Sequence, residues 1–266
     1  MKRFIAACII TYIIIVGLFY WKQRDLMYPP EAHTFSSEIA DAPDMQLVEI
    51  TTEDGLVLKS WYKKADDGQP TFLAFHGNGG TIWHLIPQAR KITGEGYGLL
   101  LAEYRYYGGN EGTPSEEGLY KDAEAHFAWL TQNNIKDIII YGQSLGSGPA
   151  VHLATQVEAK ALILEVPFSS ALDVAAHKFP FLPFPSIIMH DQYNNAVKIT
   201  AVNEPLLIGL AAKDDQVPVH LGRKLFEKAN EPKTLKLYES ANHEDLYKHG
   251  FGNEVITFVE KQEAAN

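Results

Sequence analysis

The chain has 266 residues, of which 46% are hydrophobic and 21% charged, with a formal net charge of −10 at pH 7. That content supports one large α/β core, while the acidic balance and the lack of a Lys/Arg-rich run beyond the N-terminus argue against nucleic acid as a partner. The one cysteine, Cys8, excludes an intrachain disulfide and a Cys-based zinc site.

Met1-Lys2-Arg3 precedes an apolar run from Phe4 to Trp21, broken only by Thr11 and Gly17. Its 18 residues are just enough to cross a bilayer as a helix. Tyr20 and Trp21 sit where an interfacial aromatic belt is expected, followed by Lys22 and Arg24. No small-x-small site follows, as a cleaved signal peptide requires, and too little apolar chain precedes Cys8 for a lipoprotein signal. Residues 1–24 are therefore expected to be an uncleaved anchor, and 25–266 one domain, opened by a polar linker over 25–44. Lys2 and Arg3 balance Lys22 and Arg24, but the free amino group adds charge to the first side. The expected orientation is N-terminus inside, with the domain on the non-cytoplasmic side.

Met45–Thr51 and Leu56–Tyr62 alternate as strands about Glu53-Asp54-Gly55. Thr71–His76 reads as a third strand, running into His76-Gly77-Asn78-Gly79-Gly80, and a helix is expected over 81–93. A buried strand, Gly98–Tyr104, is followed by an amphipathic helix from Ser115 to Asn133, with Leu119, Ala123, Phe127 and Leu130 on one face. Ile138–Tyr141 is β-branched and apolar, and leads through Gly142-Gln143-Ser144-Leu145-Gly146 into a small-residue helix over 146–154. A strand at Lys160–Val166 comes next. Residues 168–203 break the rhythm and are expected to form a short lid. Their Phe179–Pro185 cluster reads equally as core packing or as a lid wall. Strand Pro205–Ala211, helix Val219–Lys228, strand Thr234–Glu239 and helix Asp245–Gln262 restore the alternation. The pattern predicts an α/β fold: a mainly parallel sheet with helices on both faces, led by an antiparallel hairpin.

Strand, sharp turn and helix around G-x-S-x-G are the setting of a nucleophile elbow. Side chains at 142 and 146 would collide with the adjoining strand and helix, and Ser144 would sit in strained backbone at the tip. A parallel sheet gathers catalytic groups at the C-terminal ends of its strands. Those ends supply His76-Gly77-Asn78, Ser144, Asp214 or Asp215, and His243, in the chain order Ser…Asp…His. An imidazole fixed by a carboxylate turns a serine hydroxyl into a nucleophile. The developing oxyanion needs two N–H donors, for which the backbones of Leu145 and Asn78 are the candidates. His76 reads as structural, and His84, His126, His152 and His220 as surface or interfacial helix residues.

These motifs resemble the α/β-hydrolase superfamily of serine hydrolases, and within it the membrane-anchored, short-lidded Bem-like or ABHD-like branch. The likeness rests on the N-terminal anchor, His76-Gly-Asn-Gly-Gly, Tyr104-Arg105-x-Tyr107-Gly108-x-x-Glu111-Gly112-x-Pro114, Gly142-x-Ser144-Leu145-Gly146-Ser147-Gly148, Lys213-Asp214-Asp215-x-Val217-Pro218 and Asn242-His243. Tyr106 departs from the branch's usual glycine and Glu103 from a common aspartate. The resemblance implies the α/β-hydrolase fold and cleavage of small-molecule or lipid-like carboxylic esters or thioesters through an acyl-enzyme on Ser144. It implies no metal and no organic cofactor. In the family pattern the acid lies four residues before the proline that opens the next helix, which selects Asp214. The rival readings are a peptidase or amidase using the same triad, and a non-catalytic interaction protein, which would be expected to lose Ser144 or His243.

Overall fold

The computed structural model describes residues 1–29 and 44–264. Its first element is α1, Lys2–Met27. The strands are β1 (Gln46–Thr51), β2 (Val57–Lys63), β3 (Thr71–Phe75), β4 (Gly98–Ala102), β5 (Ile138–Gln143), β6 (Ala161–Glu165), β7 (Leu206–Ala211) and β8 (Lys233–Tyr238). They form one sheet in the order β1-β2-β4-β3-β5-β6-β7-β8. β1 and β2 make the antiparallel hairpin, and β2 meets β4 antiparallel. Every later pairing is parallel.

The central strands are almost wholly apolar because both faces are covered. Leu73 and Phe75 of β3 join Leu100, Ile140 and Leu164 on one face, while Phe72 and Ala74 join Leu101, Ile139 and Ile163 on the other. Helices α3 (Glu116–Gln132), α4 (Ser147–Ala154) and α8 (Val219–Lys228) cover the first face, through Leu119, Val151 and Leu225. Helices α2 (Ile86–Gly94) and α9 (Phe251–Ala264) cover the second, through Ile92 and Val255. Ser115 caps α3 by accepting from the Gly118 N–H at 3.0 Å, and Glu116 and Glu117 in its first turn complement the helix dipole.

Four local expectations are corrected. The helix expected over 81–93 starts as a 3-10 turn, Ile82–Leu85, and becomes α-helical only at Ile86. Pro87 carries no N–H to bond back into that turn, so it opens the helix instead. The helix expected over Asp245–Gln262 is split, because Gly250 at φ +98° ends a 3-10 turn, Leu246–His249, before α9 begins. His126, expected as a surface or interfacial residue, is fully buried, with Nδ1 against the Asp122 carbonyl at 2.6 Å and Nε2 against Ser60 Oγ at 2.7 Å. Satisfying both ring nitrogens is what makes that burial tolerable.

The fourth correction concerns the anchor. α1 runs three residues past 24, so the expected linker begins inside a helix; residues 30–43 of that linker lie outside the described residues. Val16, Phe19, Gln23 and Met27 are half-buried while the rest of the helix is largely exposed. Their spacing traces one helical face. Arg24 Nε pairs with Asp191 Oδ2 at 2.9 Å, Gln23 Oε1 accepts from the His190 N–H at 2.8 Å, and the Tyr12 hydroxyl donates to the Phe181 carbonyl at 2.7 Å. Tyr28, just past the helix, is 1% exposed in the main core, its hydroxyl 2.8 Å from that of Tyr193. The helix is therefore bolted to the segment 168–203.

That segment folds as three short helices, α5 (Ala171–Lys178), α6 (Pro185–Ile188) and α7 (Asn195–Lys198), laid over the C-terminal edge of the sheet. The Phe179–Pro185 cluster is not core. Phe181 and Phe184 are 46% and 74% exposed.

Candidate active site

β5 delivers Ser144 through a turn that only glycine permits at two points. A Cβ on Gly142 would lie 2.5 Å from the Gly146 carbonyl, and one on Gly146 would run into the carbonyl of Phe75 on the neighbouring β3. Between them Ser144 takes φ +50°, a left-handed conformation that is costly for a side-chain-bearing residue. Its Oγ points at His243, with Nε2 at 2.9 Å. His243 follows β8, and its Nδ1 lies 2.7 Å from Oδ2 of Asp214, which follows β7. The other Asp214 oxygen, Oδ1, accepts the backbone N–H groups of Gln216 at 2.9 Å and Val217 at 2.7 Å. Those two bonds fix the carboxylate in the plane that faces the imidazole. Asp215 is exposed.

Ser144, His243 and the Asp214 side chain are each under 10% exposed, so the relay is shielded along its length. Ser144 opens on a pocket of about 270 Å³ that Leu145, Asn78, Phe168, Val174, Phe179 and Leu182 help to line. Thus Asn78 and Leu145 both stand beside Ser144, on the turns after β3 and β5. A Cβ at Gly77 would meet the Ser144 Cβ at 3.3 Å, so the two turns are in close contact.

Sequence reasoning missed the contribution of α1 and a buried carboxylate. Phe19, Leu26 and Met27 of α1 also line the pocket, and Asn78 Nδ2 donates to the Met27 carbonyl at 3.0 Å. The helical spacing of Phe19, Gln23 and Met27 was the available signal. On β6, beside β5, Glu165 is fully buried and accepts from the Tyr141 hydroxyl and, at 3.1 Å, from Gln88 Nε2. Burial pushes its carboxyl up from the usual carboxylate range.

Comparison with solved structures gives the fold. The chain superposes on an esterase, Pf2001, of Pyrococcus furiosus with a TM-score of 0.73 at 22% identity, over 89% of this chain and 97% of that one. An α/β hydrolase from Vibrio vulnificus gives a TM-score of 0.73 at 20% identity, over 91% and 93%. Among curated proteins, the uncharacterized protein Rv2307c of Mycobacterium tuberculosis is 35% identical over 92% of this chain and 90% of its own length. Bem46 of Schizosaccharomyces pombe is 31% identical over 66% of this chain and 63% of its length.

The chain has the α/β-hydrolase fold and is a relative of Rv2307c and of the Bem46-like proteins.

Another relative is the lysophosphatidylserine lipase ABHD12 of Danio rerio, 32% identical over 66% of this chain and 51% of that protein. No family model matches the chain. Its two departures from the branch pattern now have local explanations. Tyr106 sits at φ +76°, backbone that favours glycine, and is 37% exposed away from the pocket lining. Glu103 is buried, with Oε1 2.8 Å from His76 Nε2 and Oε2 accepting from the Ile82 N–H at 3.3 Å. Glu103 and His76 thus brace the turn that carries Asn78, and neither touches Ser144.

Proposed function

We propose that this hydrolase cleaves carboxylic esters or thioesters through an acyl-enzyme on Ser144. The observation that carries the reading is the aligned relay Ser144 Oγ, His243 Nε2, His243 Nδ1 and Asp214 Oδ2, opening on an apolar pocket. Ser144 donates its proton to His243 Nε2 as Oγ attacks the acyl carbon, and Asp214 holds the Nδ1–H tautomer and stabilises the imidazolium. The N–H groups of Leu145 and Asn78 receive the developing oxyanion. The imidazolium then protonates the departing alkoxide or thiolate. Water, deprotonated by the same Nε2, attacks the acyl-enzyme and releases the carboxylic acid while Ser144 recovers its proton. The pocket lining, chiefly apolar apart from Asn78, Ser144, Gln23, Lys178 and Gln216, suits an acyl chain. The esterase and the lipase among the similar proteins agree with this chemistry.

The helix α1, 26 residues long and long and apolar enough to cross a membrane, anchors the domain, which we place on the non-cytoplasmic side. Protease accessibility of sealed vesicles tests that side. The chemistry is tested by a fluorophosphonate probe on the full-length protein. The probe labels wild type and leaves Ser144→Ala unlabelled; a labelled Ser144→Ala variant would put the nucleophile elsewhere.

A further inference from the structure

The anchor and the catalytic pocket are not separate parts of this molecule. Phe19, Gln23, Leu26 and Met27 line the same pocket as Ser144. In a helix, positions i, i+4, i+7 and i+8 share one face. The helix is held there by the Met27 carbonyl, which accepts from Asn78, a residue of the turn beside the nucleophile, and, farther toward its N-terminus, by Tyr12, which bonds the Phe181 carbonyl. Phe19 also packs edge-on against Phe179 and Phe181, with ring centroids 5.0 and 5.5 Å away.

From Phe4 to Leu18, α1 is mostly bare and apolar, with Ile13, Ile14 and Leu18 62%, 56% and 53% exposed. Beside it the segment Phe179–Ile188 presents Phe181, Phe184 and Ile187 at 46%, 74% and 78% exposure. Large apolar side chains clustered next to a membrane helix mark a surface that meets lipid. A helix of 26 residues at about 1.5 Å per residue is about 39 Å long, beyond the ~30 Å hydrocarbon core, which leaves its C-terminal turns at the interface where the pocket lies.

We propose that α1 is a wall of the acyl site, and that the acyl chain of a bilayer-resident, single-chain ester enters from the membrane between α1 and the Phe179–Ile188 segment. This deepens the hydrolase reading and rests on it. The apolar lining contributed by Phe19, Leu26 and Met27 receives the acyl chain, and Ser144 sits where the chain's carbonyl arrives. A pocket of about 270 Å³ lies just below the ~300–1,000 Å³ range of small-molecule sites, which suits one chain rather than a pair. The bond cleaved is the one assigned above, between the acyl carbon and its alcohol or thiol.

The test uses the full-length protein in lipid nanodiscs and a series of p-nitrophenyl esters from acetate to dodecanoate. Leu26→Trp fills the wall and is expected to lower the dodecanoate-to-acetate ratio of kcat/KM at least tenfold, while Leu26→Ala raises the ratio for the longest chains. Ile13→Trp, on the bare face, changes the ratio less than twofold. A nitroxide at Phe184→Cys in a Cys8→Ala background is expected to be more accessible to oxygen than to an aqueous nickel complex. Unaltered ratios in both Leu26 variants overturn the wall, and a nitroxide that favours the nickel complex overturns entry from the bilayer. Fluorophosphonate labelling is recorded on the same samples. A wild-type protein that fails to label overturns the hydrolase reading and this inference with it, whereas labelling with unaltered ratios overturns the inference alone.

Discussion

Asp214→Asn is the most informative single change, because the structure dictates how the new amide will sit. Oδ1 of Asp214 accepts two backbone N–H groups, at 2.9 and 2.7 Å. An asparagine must keep its carbonyl oxygen there, since an NH2 group facing two donors would leave all of them unpaired. The amide NH2 is then turned toward His243 Nδ1, where a carboxylate oxygen now stands at 2.7 Å. Facing a donor, Nδ1 becomes the acceptor, and the ring proton moves to Nε2, the atom 2.9 Å from Ser144 Oγ. A protonated Nε2 cannot take the serine proton. The expected loss is on the order of 10⁴ in turnover, about 5.5 kcal/mol of transition-state stabilisation. The fold keeps all its backbone bonds, so the melting temperature should move by no more than about 3 °C, the equivalent of about 1 kcal/mol in a domain of this size. Asp215→Asn, at an exposed position, should change turnover less than twofold. The assay is kcat at saturating p-nitrophenyl butyrate, with calorimetry on the same preparations. An Asp214→Asn variant retaining a tenth of wild-type turnover, or an equal loss in Asp215→Asn, refutes the assignment.

Arg105 bridges Asp54 and the fully buried Asp122, at 2.8 Å from each. Arg105→Met strands a buried carboxylate at a cost of about 3–5 kcal/mol, so thermal unfolding should fall by roughly 10 °C, with partial recovery in Arg105→Met/Asp122→Asn; an unmoved midpoint contradicts this. Burial, aided by repulsion from His76, lowers the His126 pKa to about 4, against about 6.5 in the unfolded chain. The unfolded chain therefore takes up this proton first. His126 destabilises the fold progressively as pH falls from about 6.5 to 4, by on the order of 3 kcal/mol at the acid end, and has no such effect above that window. Urea midpoints between pH 4 and 7 should show a shallower acid limb in His126→Gln than in wild type.

The parts of the site that the sequence discloses are those encoded locally or by chain order. Ser144 is legible because a β-branched strand, two glycines and a small-residue helix stand side by side, each required by the same turn. Asp214 is chosen over Asp215 by its offset from Pro218, and the geometry offers a physical rationale for that choice. A residue at that offset can bond the N–H groups of Gln216 and Val217 while facing His243. The path of 168–203 was not legible. Its helices are short, and their positions depend on contacts with α1 and α3 far away in sequence, such as Asp191 with both Arg24 and the Glu116 N–H. The role of α1 was hidden for a simpler reason. An apolar helix has the same composition whether lipid or a protein pocket covers one face. The full burial of His126 was not legible because a helical histidine reads as surface or interfacial until its partners Ser60, 66 residues away, and the Asp122 carbonyl are seen.

Trapping the acyl-enzyme tests the central claim most directly. The full-length protein in detergent is quenched with acid during turnover of a p-nitrophenyl ester, digested, and its peptides weighed by mass spectrometry. The account predicts an added acyl mass on the peptide that carries Ser144, absent from Ser144→Ala, and accumulating when deacylation is slowed. Steady ester hydrolysis with no adduct, or an adduct on a peptide that lacks Ser144, would contradict it.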